Sequence, residues 1–208
     1  MNVSVIKPAE HEPVTVAQAK AFCRVTHNLE DALIATLVSA ARELCEGATR
    51  SPISPQTFQV TYRTPYHDTL FGLHPTVEDR DGIKDGIRLP RIPFLQLVSV
   101  KLETPEQTID IPLSAVRVAK PRTLYIKDWP TYFQRDTSLV VEYEAGYPLV
   151  GGEGEDKDLV KCPALMAQCV LDTVAHLYST RGDATTGTLP VRVRNMLKTF
   201  SDVGGWAG

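Results

Sequence analysis

Nine prolines between positions 65 and 148 exclude long helices from the middle of this chain. A proline inside a helix removes a backbone donor and clashes with the preceding turn, and in a sheet it is confined to edges and turns. The apolar runs between these prolines alternate, as in Thr57-Phe58-Gln59-Val60-Thr61-Tyr62 and Leu97-Val98-Ser99-Val100-Lys101-Leu102. A period of two places one set of side chains on each face of a strand. The same reading predicts strands at 109–118, 123–126 and 138–143, short and rich in edges. The charged, glycine-containing stretch 78–86 reads as a loop.

The two ends follow a different period. Thr15 with Gln18 three residues on forms a capping box, and Val16, Ala19, Phe22 and Cys23 continue as one apolar stripe. Asn28 is the expected N-cap of a second helix, with Glu30 and Asp31 at its positive end. Leu29, Leu33, Leu37, Ala40, Ala41 and Leu44 recur at helical spacing, with an end expected near Gly47. A turn this short predicts antiparallel packing of the pair.

After the acidic, glycine-rich stretch 151–158, a third helix is predicted over 163–181. Pro163 lies in its first turn, Gly182 is its C-terminal cap, and Leu165, Met166, Cys169, Val170, Thr173, Val174 and Leu177 lie on its inner face. A fourth helix starts at Pro190. It carries Val193, Met196, Leu197 and Phe200 on one side and Arg192, Arg194 and Lys198 elsewhere. A helix of roughly 11 residues is marginal alone, so it must lean on its own bundle or on another protein. The order predicts an α+β fold: N- and C-terminal helices packed as a small bundle, with a central antiparallel β insert, as a sheet or small barrel. The expected divisions are 1–50, 51–150 and 151–208.

Composition bounds the chemistry. The 208 residues are 43% hydrophobic and 23% charged, with a net charge of −3. Acids and bases are balanced along the chain, so no block predicts tight nucleic-acid binding through counterion release. No apolar run approaches the roughly 20 residues of a membrane span, and residues 1–12 lack the apolar region of a signal peptide. The four cysteines, Cys23, Cys45, Cys162 and Cys169, form no CxxC and are read as reduced, apolar helix residues of a cytosolic product.

Candidate catalytic groups are sparse. Cys162, Cys169 and His176 recur every seven residues, which separates neighbours by about 10.5 Å of helical rise, too far to share one zinc. His67, Asp68 and His74 fall in a loop and match no metal or triad spacing. No phosphate-binding glycine loop, nucleophile elbow or zinc-protease motif is present. No catalytic residue, metal or cofactor is expected. Arg192, Arg194 and Lys198 form a modest basic patch, read either as a solvated face or as a partner interface. Trp206, between glycine and alanine near the end, reads either as disordered or as an anchor that orders on binding.

The order of these segments resembles phage head–tail connector (adaptor) proteins of a long form with a central β insert. The resemblance rests on Pro13-Val14-Thr15-Val16-Ala17-Gln18-Ala19-Lys20, Arg24, Asp31-Ala32-Leu33-Ile34, Ala40-Ala41-Arg42-Glu43 and Glu46 at the start. It continues through Leu89-Pro90-Arg91-Ile92-Pro93 with Val98-Ser99-Val100, Trp129-Pro130, and Val141-Glu142-Tyr143-Glu144-Ala145-Gly146-Tyr147. Pro163, Leu165, Ala167, His176, Tyr178, Arg181 and Leu189-Pro190 complete it. The insertion at 78–86, Ser179-Thr180 and the last residues depart from the pattern.

The resemblance implies a structural, non-enzymatic virion protein at the neck, made in the host cytoplasm. It implies a ring of about twelve copies on heterologous contacts that close. Such a ring lies below the portal protein, extends the DNA channel without specific binding to the packaged DNA, and offers a platform to the next neck or tail protein. The C-terminal arm would reach the portal, making Leu189, Pro190, Arg192, Arg194, Met196, Leu197, Lys198, Phe200 and Trp206 the candidate partner interface. Removing 189–208 is expected to abolish capsid attachment and leave the remaining fold intact. The alternatives are another neck component (a stopper or tail terminator), a hydrolase using His67 or His74, or a nucleic-acid-binding module using the basic patch.

Overall fold

The chain's helices and strands segregate into two units in a computed structural model that describes residues 1–63, 86–119, 122–127, 137–151, 158–180 and 189–201. One unit comprises Met1–Pro8 and Gln56–Ala145, the other Ala9–Pro55 and Gly146–Gly208. The fold is α+β, and its strands form two antiparallel sheets with no closed barrel among the described residues.

The sheet unit begins with a strand that periodicity did not predict, β1 (Asn2–Lys7). It is an edge strand, exposed at five of its six residues, so it has no buried set to alternate with an exposed one. Its ladder with β2 (Gln56–Arg63) holds it in place. The remaining strands are β3 (Ile87–Arg88), β4 (Phe94–Glu103), β5 (Thr108–Asp110), β6 (Val116–Ala119), β7 (Thr123–Ile126) and β8 (Ser138–Ala145). They pair as β1-β2-β8-β4-β5 and β3-β7-β6.

The single strand expected at 109–118 is two. Pro112 offers no backbone donor, and a 3₁₀ turn at Leu113–Ala115 redirects the chain from the larger sheet into the smaller. Both sheets contribute to one core: Phe58 and Val60 of β2, Val100 and Leu102 of β4, Leu139, Val141 and Tyr143 of β8, and Leu124 of β7. Tyr143 is fully buried, its ring 6.1 Å from Phe58 and 6.2 Å from Phe94. Its hydroxyl accepts the Arg91 backbone N–H at 2.9 Å, which satisfies the one polar atom carried inward. On the opposite face of β8, Glu142 accepts from Gln59 at 3.3 Å and from Ser99 at 2.9 Å, a cross-strand tie over three strands.

The helical unit holds α1 (Val16–Cys23), α2 (Asp31–Thr49), α3 (Ala164–Ser179) and α4 (Val191–Ser201). The predicted capping box is present: the Gln18 N–H donates to Thr15 Oγ1 at 3.0 Å, and the Thr15 N–H donates to Gln18 Oε1 at 2.9 Å. Asn28 does not cap α2. Its side-chain oxygen accepts from Lys20 Nζ instead, and the helix starts at Asp31 with Glu30 in the cap position. Lys20 also pairs with Asp31 at 2.7 Å, so one cation draws the end of α1 to the start of α2.

Helix α2 passes through Gly47 and stops two residues later, where Arg50 adopts a left-handed conformation (φ 55°). Thr49 donates back to the Cys45 carbonyl at 3.0 Å. Ile34, Val38, Ala41 and Cys45 of α2 pack with Met166, Cys169, Val170 and Val174 of α3, and with Val193 and Leu197 of α4. Gly146 (φ 129°) follows β8, and a Cβ there would run into the Ser54 carbonyl, so only glycine fits this turn.

Candidate functional site

The expected interface divides along the faces of α4. Val193 (1% exposed) and Leu197 (2%) lie in the helical core, with Leu189, Met196 and Phe200 packed half-buried against it. The apolar half of the fourth helix therefore leans on its own bundle. Removing 189–208 would open that core, so the truncation is expected to destabilise the remaining helical unit rather than leave it intact. Pro190 is half-buried, and its carbonyl accepts the Arg194 N–H at 2.9 Å, one turn on. Trp206 lies outside the described residues, as do His67, Asp68, His74, Trp129, Pro130, Arg181 and Gly182.

The outward face is a stripe at i, i+3, i+4 and i+7: Val191, Arg194, Asn195 and Lys198, all exposed, with Val191 at 70%. Arg194 also donates to the Leu189 carbonyl at 3.3 Å, which helps fix the first turn. Arg192 lies beside the stripe, and its Nε is 3.6 Å from Asp172 Oδ2 of α3. That carboxylate oxygen is buried without a hydrogen bond, so the nearby guanidinium offsets its charge across α3 and α4. The helix has three cations and no carboxylate.

A second feature escaped the sequence reading. An open groove of about 340 Å³ lies between residues 10–16, α2 and residues 158–159. A short ladder builds its far wall: the Val150 N–H donates to the Leu159 carbonyl at 2.8 Å, and the Val160 N–H to the Glu12 carbonyl at 3.2 Å. Glu10, His11 and Asp158 stand at the rim, and Val16, Ala35 and Leu159 supply apolar lining.

Glu12 also lines the groove but is committed inward. It accepts from Ser39 at 2.7 Å and from Arg42 Nε at 2.9 Å. The Arg42 side chain is 7% exposed, and its Nη1 donates to Glu46 at 2.8 Å. Glu46 in turn accepts the backbone N–H groups of Ile53 and Ser54, at 2.7 and 3.2 Å. One buried guanidinium thus ties three segments of the helical unit together. The i, i+4 pair Arg42–Glu46 is readable in the sequence, but nothing there brings in Glu12, thirty residues upstream.

The cysteines offer no nucleophile. Cys45 and Cys169 are buried, and burial pushes their thiols up to about 11 and about 12. Cys23 and Cys162 are half-buried and shifted the same way by the same cause. A neutral thiol is a poor nucleophile and a poor metal ligand. Cys162 precedes α3 rather than lying on it, and no cluster of three His, Cys, Asp or Glu among the described residues could hold a metal ion. No described helix is long and apolar enough to cross a membrane.

No family model and no curated protein matches the chain. Solved structures do share its fold over essentially its whole length. A chain of the virion of a native gene transfer agent (GTA) particle superposes with a TM-score of 0.66 at 17% identity. Chains from the neck of the empty GTA particle, computed with C6 symmetry, and of the native particle, computed with C12 symmetry, each superpose with a TM-score of 0.63, at 17% and 18% identity. In all three the alignment covers 100% of this chain and 99% of the other. The α+β architecture read from the sequence is thus one that chains of neck and virion assemblies also adopt.

Proposed function

We propose that this chain is a structural neck protein: a head–tail adaptor that forms a ring of about twelve copies below the portal, continues the DNA channel, and carries the next neck or tail protein. The end-to-end likeness to neck chains solved under cyclic symmetry carries this reading, because it spans both the helical and the sheet unit rather than one common motif. The outward stripe of α4 supports it further. A helix that buries one face in its own core and presents Val191, Arg194 and Lys198 on the other is built to meet a neighbour.

The reading assigns the chain to the virion, without catalytic activity, cofactor or membrane contact. The test is co-sedimentation of the purified chain with portal-bearing, tail-less heads. Saturable binding at about one ring per head is expected. Binding that ignores the presence of the portal, or no binding at all, overturns the adaptor role.

A further inference from the structure

We propose that the larger sheet continues from copy to copy, the outer edge of β1 pairing with the outer edge of β5 in a second copy of this chain. The contact deepens the ring reading above and rests on it for closure.

The sheet runs β1-β2-β8-β4-β5, so β1 and β5 are its two ends, and no strand among the described residues pairs with the outer side of either. Such edges are normally blunted by charge, proline or a bulge. Residues 2–6 carry neither charge nor proline, and the irregularity in the β1–β2 ladder lies beyond Val5.

Position in the sheet selects the occupant. All four ladders are antiparallel, so β1 and β5 run in the same direction. A twelve-membered ring turns each copy by about 30°, which keeps β1 of one copy and β5 of the next close to parallel. The two edges differ, so the contact is heterologous and closes into a ring, whereas β1 on β1 stops at a two-fold pair.

The apolar residues match along this seam. Val3 and Val5 stand opposite Val60 and Phe58, and Ile109 stands opposite Leu102, all on the core face. At the two edges that core runs out: Val5 is 49% exposed and Ile109 39%. One paired row, Asn2–Thr61–Val140–Lys101–Asp110, crosses the whole sheet. Continued without stagger, it sets Asn2 beside the next copy's Asp110 and Val3 beside its Ile111. Val5 and the next copy's Ile109 then flank that contact and are covered by it.

Disulfide trapping tests the seam. The variant Asn2→Cys/Asp110→Cys, bound to portal-bearing heads and mildly oxidised, should give a ladder of covalent multimers on a non-reducing gel. Wild type, whose four cysteines are buried or half-buried, should give none. In concentrated solution the two single variants, mixed, should form the mixed disulfide at least about tenfold over either variant linked to itself. Adding Val5→Lys or Ile109→Lys to the double variant should cut the ladder at least about tenfold while melting is unchanged.

A double variant that binds the heads and gives no ladder overturns this contact and leaves the adaptor role standing. So does Asn2→Cys that links chiefly to itself, which assigns β1 to a two-fold pair. Where the chain does not bind the heads at all, the adaptor role falls and the solution mixture decides the seam: the mixed disulfide supports it, and its absence overturns it.

Discussion

Arg42 is the residue on which the helical unit most depends electrostatically. Its guanidinium is almost fully enclosed, and its hydrogen-bonded carboxylates come from residue 12 and from its own helix. Removing one member of such a buried set strands the others. Arg42→Ala is therefore expected to cost about 3–5 kcal/mol in urea unfolding, against about 1 kcal/mol or less for an exposed pair. A loss under about 1 kcal/mol would mean that water replaces the guanidinium at little cost.

Alkaline pH probes the same scale. The thiols of Cys45 and Cys169 rise from 9.0 in the unfolded chain to about 11 and about 12, and the Tyr143 hydroxyl rises from 10.0 to about 12, all mainly through burial. These groups hold their protons more tightly when folded. Their contribution is complete below pH 9 and is lost as pH climbs through 11 to 12, at up to about 1.4 kcal/mol per unit for each group. Melting temperature should fall steadily above pH 9. A flat profile to pH 11 would contradict the burial of these thiols. That Cys45 and Cys169 are apolar core residues was legible from their helical setting, whereas the reach of Arg42 to Glu12 was not, because no local period links them.

Among the elements, α4 is the most informative. Leu197→Ala should cost about 2–5 kcal/mol because it empties a filled core position. Val191→Ser, on the outer face of the same helix, should stay within about 0.5 kcal/mol. Equal effects would contradict the division of its faces. At the other end, Thr15→Ala removes one half of the capping box and should cost about 1 kcal/mol.

The helices were legible in position because apolar residues recur at helical spacing, but their faces were read less well. α2 buries Ile34, Val38, Ala41 and Cys45 while Leu29 and Leu33 are exposed, and Leu165, expected on the inner face of α3, is exposed too. Their ends were also less legible. Asn28 is an excellent cap by type but is drawn to Lys20, and α2 ignores Gly47 because Arg50 takes the left-handed turn. β1 was illegible, since an edge strand exposed almost throughout carries no pattern of its own. The site was legible in part: the basic residues and the apolar positions of α4 were both seen, but only packing shows that Leu197 belongs to the interior. The groove was not legible, because its walls come from residues 10–16, α2 and 158–159.

For the whole molecule, two units of different architecture share one chain that crosses between them. Residues 1–8 join the sheet unit, and the next stretch enters the helical one. The helical unit supplies an interior held by a buried ion network, a basic helical stripe and an acid-rimmed groove. The sheet unit supplies a second core with a polar outer face tied through Glu142. Among the described residues nothing concentrates reactive groups, and the surfaces proposed for contact are the α4 stripe of the helical unit and the two edges of the larger sheet. The work proposed for the chain is to join copies and carry neighbours.

The most direct measurement is imaging of particles assembled with and without this chain. With it, averaged images should show a ring of density between head and tail that gains mass when the chain carries a terminal label. Without it, DNA-filled heads should accumulate unattached to tails. Labelled chain found away from the neck, or complete particles formed in its absence, would contradict the account.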